Sequence, residues 1–148
     1  MRDIQMLCKR QERVSKAEKL KIENSARMAI NERFNCNSAC AKKSLSGSGP
    51  KHEYDIYREN EIIGGVSTSP YLTSKGKCNT GGRDRAAAEL LWLSLWQGKE
   101  NRVHVLTCES MASWLYKRFG GSVFPFKITI FHFCPVKKQL REIGVLGA

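Results

Sequence analysis

A polar, glycine-rich stretch in the middle of the chain offers the clearest place for a ligand. Residues 73–82 read TSKGKCNTGG, include Lys75 and Lys77, and lead directly into an apolar helical sequence. The first N–H groups of a helix have no intrahelical partners, and the helix dipole favours negative charge there. We therefore predict that a phosphate-bearing ligand binds at Gly81–Arg85.

The helical sequence that follows carries one acid able to do chemistry. The pattern predicts a helix from Arg83 to Trp96 that is apolar on nearly every face and so buried on more than one side. Glu89 is the lone acid of its interior. Glu89 is either a catalytic base or a residue on a narrow solvent face, and the rarity of fully buried carboxylates favours the second reading.

Short strands and a second helix are predicted on both sides of this stretch and would position it. Tyr54 and Ile56 lie before a predicted turn at 58–60, and Ile62–Val66 follow it, a pattern typical of a hairpin. The pair Gly64-Gly65 inside the second strand indicates a bulge or a close backbone approach. Downstream we predict a strand at Val103–Thr107, a helix at Glu109–Phe119 ended by Gly120-Gly121, and a half-covered strand within Ser122–Cys134.

The whole chain of 148 residues is predicted to form one domain. We expect a basic N-terminal helix within residues 1–34, running from residue 10 to 34. A flexible or functional loop rich in Ser and Gly follows at 35–51, then a core at 52–134 and a basic tail of uncertain structure at 135–148.

The net charge of +11 is concentrated at the two ends of the chain. Residues 1–50 hold 11 basic and 5 acidic side chains, residues 51–116 hold 8 of each, and residues 117–148 hold 6 and 1. Such an excess favours polyanionic partners, so we predict nucleic-acid binding through phosphate contacts that do not read sequence. The candidate contacts are Lys9, Arg10, Arg13, Lys42, Lys43, Lys137, Lys138 and Arg141.

Other classes are disfavoured by composition. No apolar run approaches the roughly 18 residues of a membrane span, and the N-terminal residues lack the apolar core of a secretory signal, so we predict a cytoplasmic protein without membrane contact. Cys36-x3-Cys40 followed by His52 is a weak metal pattern without a convincing fourth ligand. We predict no metal, and reduced, mostly buried thiols.

The order of strand, basic Gly-rich loop, apolar helix, strand, helix and strand resembles the GNAT superfamily of acyl-CoA-dependent N-acyltransferases. The family's pyrophosphate loop, Arg/Gln-x-x-Gly-x-Gly/Ala, has its nearest match in residues 77–86, KCNTGGRDRA, which supply the glycines and basic residues but not the register. The family's A-x-x-x-Y-x-x-x-G-F corresponds to residues 112–121, ASWLYKRFGG, with Gly121 where Phe is usual. The resemblance covers about residues 53–133.

The resemblance implies an α+β (mixed α/β) fold with a central, mostly antiparallel twisted sheet flanked by helices. It implies acetyl-CoA or another acyl-CoA as the acyl donor. It also implies that the strand Glu61–Ser69 splays from Val103–Thr107 and exposes backbone donors for the developing oxyanion. The donor-binding residues that it implies are Lys77, Thr80, Gly81, Gly82, Arg83, Arg85 and Val66.

The resemblance also implies the catalytic groups. Tyr116 corresponds to the tyrosine that protonates the leaving thiolate in the family, or else packs as an ordinary helix residue. The candidate general bases are Glu61, Glu89, His104 and Glu109, of which we select Glu89 and Glu109. The basic ends of the chain then point to an amine carried by nucleic acid, either a DNA base, as in the Mom-type DNA modifiers, or the amine of an aminoacyl-tRNA. The oligomeric state is open.

Two other classes of function fit the same sequence. A non-enzymatic nucleic-acid-binding protein would use Gly81–Arg85 to hold a backbone phosphate. A toxin-type enzyme would be a nuclease using His52, His104 or His132. Alternatively, it would be an ADP-ribosyltransferase using Val66-Ser-Thr-Ser69 with Arg58 and Glu109.

Overall fold

One six-stranded sheet, with its strands in chain order, organises the protein. The computed structural model describes residues 15–147. These residues form helices α1 (Lys16–Phe34), α2 (Thr80–Leu95) and α3 (Glu109–Phe119), and strands β1 (Ala39–Ser44), β2 (Lys51–Arg58), β3 (Ile62–Ser67), β4 (Asn101–Leu106), β5 (Ile128–Cys134) and β6 (Gln139–Leu146).

The sheet is mixed, and its connections explain why. β1, β2 and β3 are antiparallel neighbours, β3, β4 and β5 are parallel, and β6 returns antiparallel to β5. The two parallel pairs are those joined by α2 and α3, because parallel neighbours need a crossover that returns the chain to the same edge. Since three of the five pairings are antiparallel, the predicted α+β class with a mostly antiparallel sheet is confirmed.

Apolar side chains cover both faces of the sheet. Ala26 and Ile30 of α1 pack in one cluster with Val103 and Val105 of β4. Helices α2 and α3 pack in a second cluster that includes Ile130 of β5. Because successive strand residues point to opposite faces, β4 places residue 104, between the two valines, on the side of α2 and α3.

The first helix begins where the sequence supplies a cap. The hydroxyl of Ser15 accepts the N–H of Glu18, and Asn35 ends the helix in the left-handed conformation with φ 50°. The helix therefore starts at Lys16 in the described part of the chain. Residues 10–14 of the predicted helix lie outside the described residues.

Two segments for which no strand was predicted contain one each. The predicted loop at 35–51 contains β1, and the predicted tail at 135–148 contains β6. Both strands lie at edges of the sheet, where hydrogen bonds to one neighbour are sufficient and polar or lysine-rich sequences are common. Neither segment shows the alternation of apolar residues on which the prediction relied.

Two predictions about burial are wrong. Helix α2 buries one face through Ala86, Leu90 and Leu93, whereas Leu91 and Leu95 are 59% and 45% exposed. Strand β5 is covered on both faces rather than one, because its alternate side chains enter different apolar clusters. In both cases the layers that cover an element come from distant parts of the chain.

The end of α2 is fixed by a buried arginine on the neighbouring strand. The guanidinium of Arg102 donates hydrogen bonds of 2.6–3.2 Å to the carbonyl oxygens of Leu93, Trp96, Gly98 and Glu100. It also lies over the ring of Phe126, 3.6 Å from the ring centroid. A cation is favoured at a helix C-terminus, so Arg102 both satisfies the last carbonyls and fixes the position of the helix.

Within residues 15–147, no helix is long and apolar enough to cross a membrane.

Candidate active site at the end of strand β3

A polar cleft lies where β3 ends and α2 begins. It consists of two adjoining pockets of about 300 Å³ each, which share Lys19, Thr68, Ser69 and Arg85. The inner pocket adds Glu23, Val66, Ser67, Glu89 and His104. The outer pocket adds Pro70, Thr73, Ser74 and Asn79. Carboxyl ends of parallel strands are common ligand sites in α/β proteins, and the cleft occupies this edge of β3 and β4.

The cleft exists because β2 and β3 separate. The two strands pair only from Ile56 to Arg58 against Ile62 to Gly64, and β2 contains a register irregularity just before this stretch. Beyond it, the carboxylate of Asp55 accepts the N–H of Val66 at 2.8 Å. A side chain therefore replaces the missing strand partner.

The predicted splay between β3 and β4 is wrong. These strands remain paired along the whole of β3, from Ile62 opposite Asn101 to Ser67 opposite Leu106. The opening lies on the other edge of β3, next to β2. The register shift in the ladder between β1 and β2, at Tyr54–Tyr57, lies beside this opening.

Glu89 of α2 reaches down onto the backbone of β3. A Cβ atom added at Gly65 would lie 2.4 Å from the Glu89 Oε1 atom, so the carboxylate occupies the space that glycine leaves empty. The other oxygen, Oε2, lies 2.9 Å from Nε2 of His52 on β2. Oε1 is buried and has no hydrogen-bond partner in the described part of the chain. One oxygen is thus held by His52, and the other is buried without a hydrogen-bond partner among the described residues.

His52 is itself held by aromatic rings. Its imidazole stacks on the indole of Trp92, with centroids 4.4 Å apart and planes 9° from parallel. The ring of Tyr54 meets it edge-on at 4.7 Å. Packing of this kind fixes the orientation of the imidazole. The Glu89–His52 pair therefore has a defined geometry across the gap between α2 and β2.

His104 is the second unusual group of the inner pocket. It is fully buried on β4, opposite Gly65 of β3, and neither ring nitrogen has a hydrogen-bond partner among residues 15–147. Burial lowers the pKa of His104 to about 4, although Glu89 opposes the shift. The imidazole is therefore neutral at pH 7. Leaving a buried polar group unpaired costs about 1–3 kcal/mol, so the imidazole is a candidate for a hydrogen bond to a ligand.

Two carboxyl groups near the cleft also have raised pKa values. Burial raises the pKa of Asp55 to about 6, against the lowering effect of its hydrogen bond from Val66. Burial, together with the charge of Glu53, also raises the pKa of Glu23. Perturbed groups gathered around one cleft are typical of functional sites. The inner pocket can accept and release protons, while its neutral imidazole can donate or accept a hydrogen bond.

The predicted donor-binding residues are only partly brought together. Arg85 lines both pockets and donates to the hydroxyl of Ser69 at 3.3 Å. Thr80 and Gly81 form the exposed first turn of α2, and Lys77 is exposed in the turn before it. These residues surround the outer pocket without all entering it.

Three of the predicted donor-binding residues have other partners. The side chain of Asn79 caps α2 by accepting the N–H of Gly82 at 3.1 Å. The guanidinium of Arg83 lies over the rings of Tyr71 and Trp114, with its carbon 4.0 and 5.3 Å from their centroids. The N–H of Val66 is the one held by the Asp55 carboxylate. The helix therefore begins at Thr80, three residues earlier than predicted.

The structure places the other two predicted catalytic residues away from Glu89. Tyr116 lies against Gly144 and lines a separate cavity of about 430 Å³ with Val145 and Leu146. Leu146 pairs with Ile128, the first residue of β5, so this cavity is at the opposite end of the parallel strands. Glu109, at the start of α3, forms an ion pair with Arg141.

The residues proposed for ADP-ribosyl transfer are also separated. Ser67, Thr68 and Ser69 line the inner pocket beside Glu89. Arg58, however, lies at the far end of β2 and pairs with Glu61 at 3.2 Å. Of the predicted set, only the Ser-Thr-Ser segment is therefore in the cleft.

The predicted nucleic-acid contacts lie at opposite edges of the sheet. Lys42 and Lys43 are on the edge strand β1, and Lys43 lies over the ring of Tyr57 at 5.0 Å. Lys137 and Lys138 form the turn between β5 and β6, near Arg141 at the other edge. Five strand spacings separate the edges by about 24 Å. Lys9, Arg10 and Arg13 lie outside the described residues.

The cysteines and a metal site can be assessed for residues 15–147. Cys108 is buried there, but Cys40 and Cys78 are exposed, so the prediction of mostly buried thiols is wrong. The Cys40 thiol donates a hydrogen bond to Oε1 of Glu53, 3.1 Å away. Across the same residues, no group of three or more His, Cys, Asp or Glu side chains is arranged to hold a metal ion.

Comparisons with protein-family models, with curated proteins and with solved structures returned no match for this chain. The site is therefore defined by its own geometry. His52, His104 and Glu89 are candidates from the sequence but are not predicted to form one site, and neither Asp55 nor Lys19 is predicted. The one local signal was the Gly64-Gly65 pair, for which a bulge or a close backbone approach was predicted: a Cβ atom at Gly64 would meet the backbone of Val103, and the Glu89 carboxylate occupies the space above Gly65.

Proposed function

We propose that this protein is an N-acyltransferase of the cytoplasm that transfers an acyl group from acetyl-CoA or another acyl-CoA to an amine carried by DNA or tRNA. The observation that carries the proposal is the carboxylate of Glu89. One of its oxygens is held by His52, and the other lies unpaired and buried in a pocket at the end of β3. A carboxylate held in this way is suited to act as a general base.

The residues of the inner pocket account for the proton transfers. The acyl donor supplies a carbonyl carbon activated by its bond to sulfur. The amine nitrogen bonds to that carbon, the proton of the amine passes to Glu89, and the carbon–sulfur bond breaks. The thiolate then takes the proton from the same carboxyl group, so Tyr116 is not needed for this step. His52 fixes the geometry of the base throughout.

The outer pocket fits the phosphate groups of such a donor. Arg85 and Lys19 provide positive charge there, and Ser69, Thr73 and Ser74 line the same pocket. Guanidinium groups bind phosphate oxygens in pairs, and ammonium groups bind them as point charges. The pocket adjoins the first turn of α2, whose dipole also favours an anion.

The resemblance to the GNAT superfamily supports the choice of donor. The order of elements from β3 through α2, β4, α3 and β5 agrees with the order on which the resemblance depends. The net charge of +11 supports a nucleic-acid acceptor, which would meet the basic edges of the sheet. The occupied N–H of Val66 and the remote position of Tyr116 differ from what the resemblance implies.

Titration calorimetry with acetyl-CoA tests the donor site. We expect saturable binding by the native chain and binding about tenfold weaker in Arg85→Ala, because one charge-assisted hydrogen bond is lost at an exposed position. Lys127→Ala is the matched control, since Lys127 is an exposed cation before β5, at the other end of the parallel strands. Absence of heat with acetyl-CoA in the native chain would exclude the proposal.

Transfer of radiolabelled acetyl groups to duplex DNA or to aminoacylated tRNA tests the base. Glu89→Gln is expected to lower the rate by about 10²-fold or more while acetyl-CoA affinity is unchanged, because general bases contribute factors of this size. Equal rates in both proteins would assign Glu89 a structural role.

A second candidate is an ADP-ribosyltransferase, favoured by the position of Ser67–Ser69 beside Glu89 in the inner pocket. In this case NAD rather than acetyl-CoA would raise the melting temperature, because a ligand that binds only the folded state stabilises it. Consumption of NAD would then disappear in Ser67→Ala. Stabilisation by nucleic acid alone would instead support a non-enzymatic binding protein.

A further inference from the structure

The proposed reaction requires a hydrogen-bond donor for the acyl oxygen, which gains negative charge as the amine attacks. The resemblance implies that the backbone of β3 supplies this donor. In the structure, the N–H of Val66 already donates to Asp55 at 2.8 Å. The edge of β3 that faces its parallel neighbour is paired with β4 along the whole strand. A side chain must therefore be considered.

His104 has the position and the chemistry of such a donor. It lines the inner pocket with Glu89, it is fully buried, and neither ring nitrogen has a partner in the described part of the chain. A neutral imidazole carries one N–H and one lone pair, so it can always donate one hydrogen bond. Gly65, directly opposite on β3, has no side chain, and the Glu89 carboxylate occupies the space above it.

The groups around His104 also fit this task. The Glu89 carboxylate lies above Gly65 and is the charged group that acts on the imidazole. Ile130, its partner on β5, is apolar and fully buried. The ring therefore faces the base on one side and hydrocarbon on the other. A donor held in a water-poor pocket needs no reorganisation when charge develops on the acyl oxygen.

We infer that the imidazole N–H of His104 donates a hydrogen bond to the carbonyl oxygen of the acyl group. This inference rests on the proposed function, because it assigns the oxygen-binding residue of the same site. Glu89 then takes the proton from the amine while His104 stabilises the oxygen, so the two unpaired groups of the inner pocket act on opposite partners of one reaction. No new bond to the protein is formed.

Isotope-edited infrared spectroscopy tests this contact without knowledge of the acceptor. The probe is acetyl-CoA labelled with carbon-13 at the carbonyl, because a hydrogen bond to that oxygen lowers its stretching frequency. We expect a shift to lower wavenumber on binding to the native chain and its loss in His104→Phe. Acetyl-CoA affinity, measured by calorimetry, should change by less than about tenfold, since one neutral hydrogen bond is lost.

Two further variants separate hydrogen bonding from packing. His104→Gln retains an N–H donor and should keep part of the shift, which a purely structural role would not predict. It also serves as the test if His104→Phe does not fold. His132→Phe is the matched control, because it removes a partly buried histidine from the neighbouring strand outside the cleft and should leave the shift unchanged.

The outcomes distinguish this inference from the proposed function. A native chain that gives no heat with acetyl-CoA excludes the proposed function and the role of His104 together. A native chain that binds acetyl-CoA with an unshifted carbonyl band overturns the inference alone. The same holds if His104→Phe retains the full shift, because another donor then binds the oxygen.

Discussion

Replacing His104 by phenylalanine is expected to change how the stability of the protein depends on pH. The substitution keeps a planar ring and removes the two unpaired ring nitrogens. At pH 7 we expect a variant at least as stable as the native chain, since an unsatisfied buried polar group is lost. The informative quantity is the difference in free energy of unfolding between the two proteins as the pH is lowered.

The size of the effect follows from the pKa of His104. Burial holds it at about 4 in the folded protein, against 6.5 for an unperturbed histidine. Between these values the unfolded chain binds the proton and the folded protein does not. The contribution of the neutral imidazole to the free energy of unfolding is therefore full above pH 6.5. It is lost as the pH falls toward 4, by about 1.4 kcal/mol per pH unit. From pH 6.5 to 4.5 the native chain should lose about 2 kcal/mol that His104→Phe keeps.

Asp55 offsets this loss of stability in the native chain, because its pKa is shifted in the opposite direction. Its pKa is raised from 3.8 to about 6, so the folded protein binds the extra proton and gains stability as the pH falls through that range. The native chain should therefore vary little between pH 6.5 and 4.5, whereas His104→Phe should become more stable by about 2 kcal/mol. Asp55→Asn should show the opposite trend, a steeper loss toward acid.

Urea denaturation at half-unit steps from pH 7 to pH 4.5 measures the difference directly. The slope of free energy against urea must agree between the two proteins, so that the comparison concerns stability alone. A difference that stays constant across this range would refute the reasoning. It would mean that the imidazole titrates normally and is neither isolated nor desolvated.

Two further substitutions test the elements that hold the site. Arg102→Ala should lower the free energy of unfolding by about 3–5 kcal/mol in urea denaturation, because carbonyl groups at the end of α2 lose a buried charged partner. The control is Arg58→Ala at an exposed position, which should lower it by less than about 1 kcal/mol. Equal losses in the two variants would contradict the role of Arg102 in fixing the helix. Gly65→Ala should lower the free energy of unfolding by about 1–3 kcal/mol and abolish acyl transfer, because its Cβ atom would displace the carboxylate of Glu89. The control is Gly47→Ala, whose Cβ atom would have no atom within 4 Å and which should change neither stability nor transfer.

Features that depend on local sequence were predicted well. Helix α3 runs from Glu109 to Phe119 as predicted, because one amphipathic pattern and one Gly-Gly stop specify it. The hairpin of β2 and β3 was also predicted from neighbouring residues. In both cases the signal and the structure lie in one continuous stretch of sequence.

Features that depend on partners distant in sequence were predicted poorly. Strands β1 and β6 were taken for a loop and a tail because their pairing, rather than their own side chains, makes them strands. The exposed side of α2 was missed for the same reason: no local pattern shows that α1 lies on the other face of the sheet. Burial depends on both of the surfaces that pack together, and the local sequence describes only one of them.

The amino-acid sequence by itself determined the α+β class, the excess of positive charge, the bounds of α3 and the presence of Glu89 on an apolar helix. Tertiary structure alone decided that Glu89 meets His52, 37 residues away, and lies near His104 at the end of β3. It also decided that Tyr116 lies elsewhere. The physical reason is that a site depends on where the sheet opens. The irregular pairing of β2 and the carboxylate of Asp55 lie beside that opening, and no residue spacing encodes it.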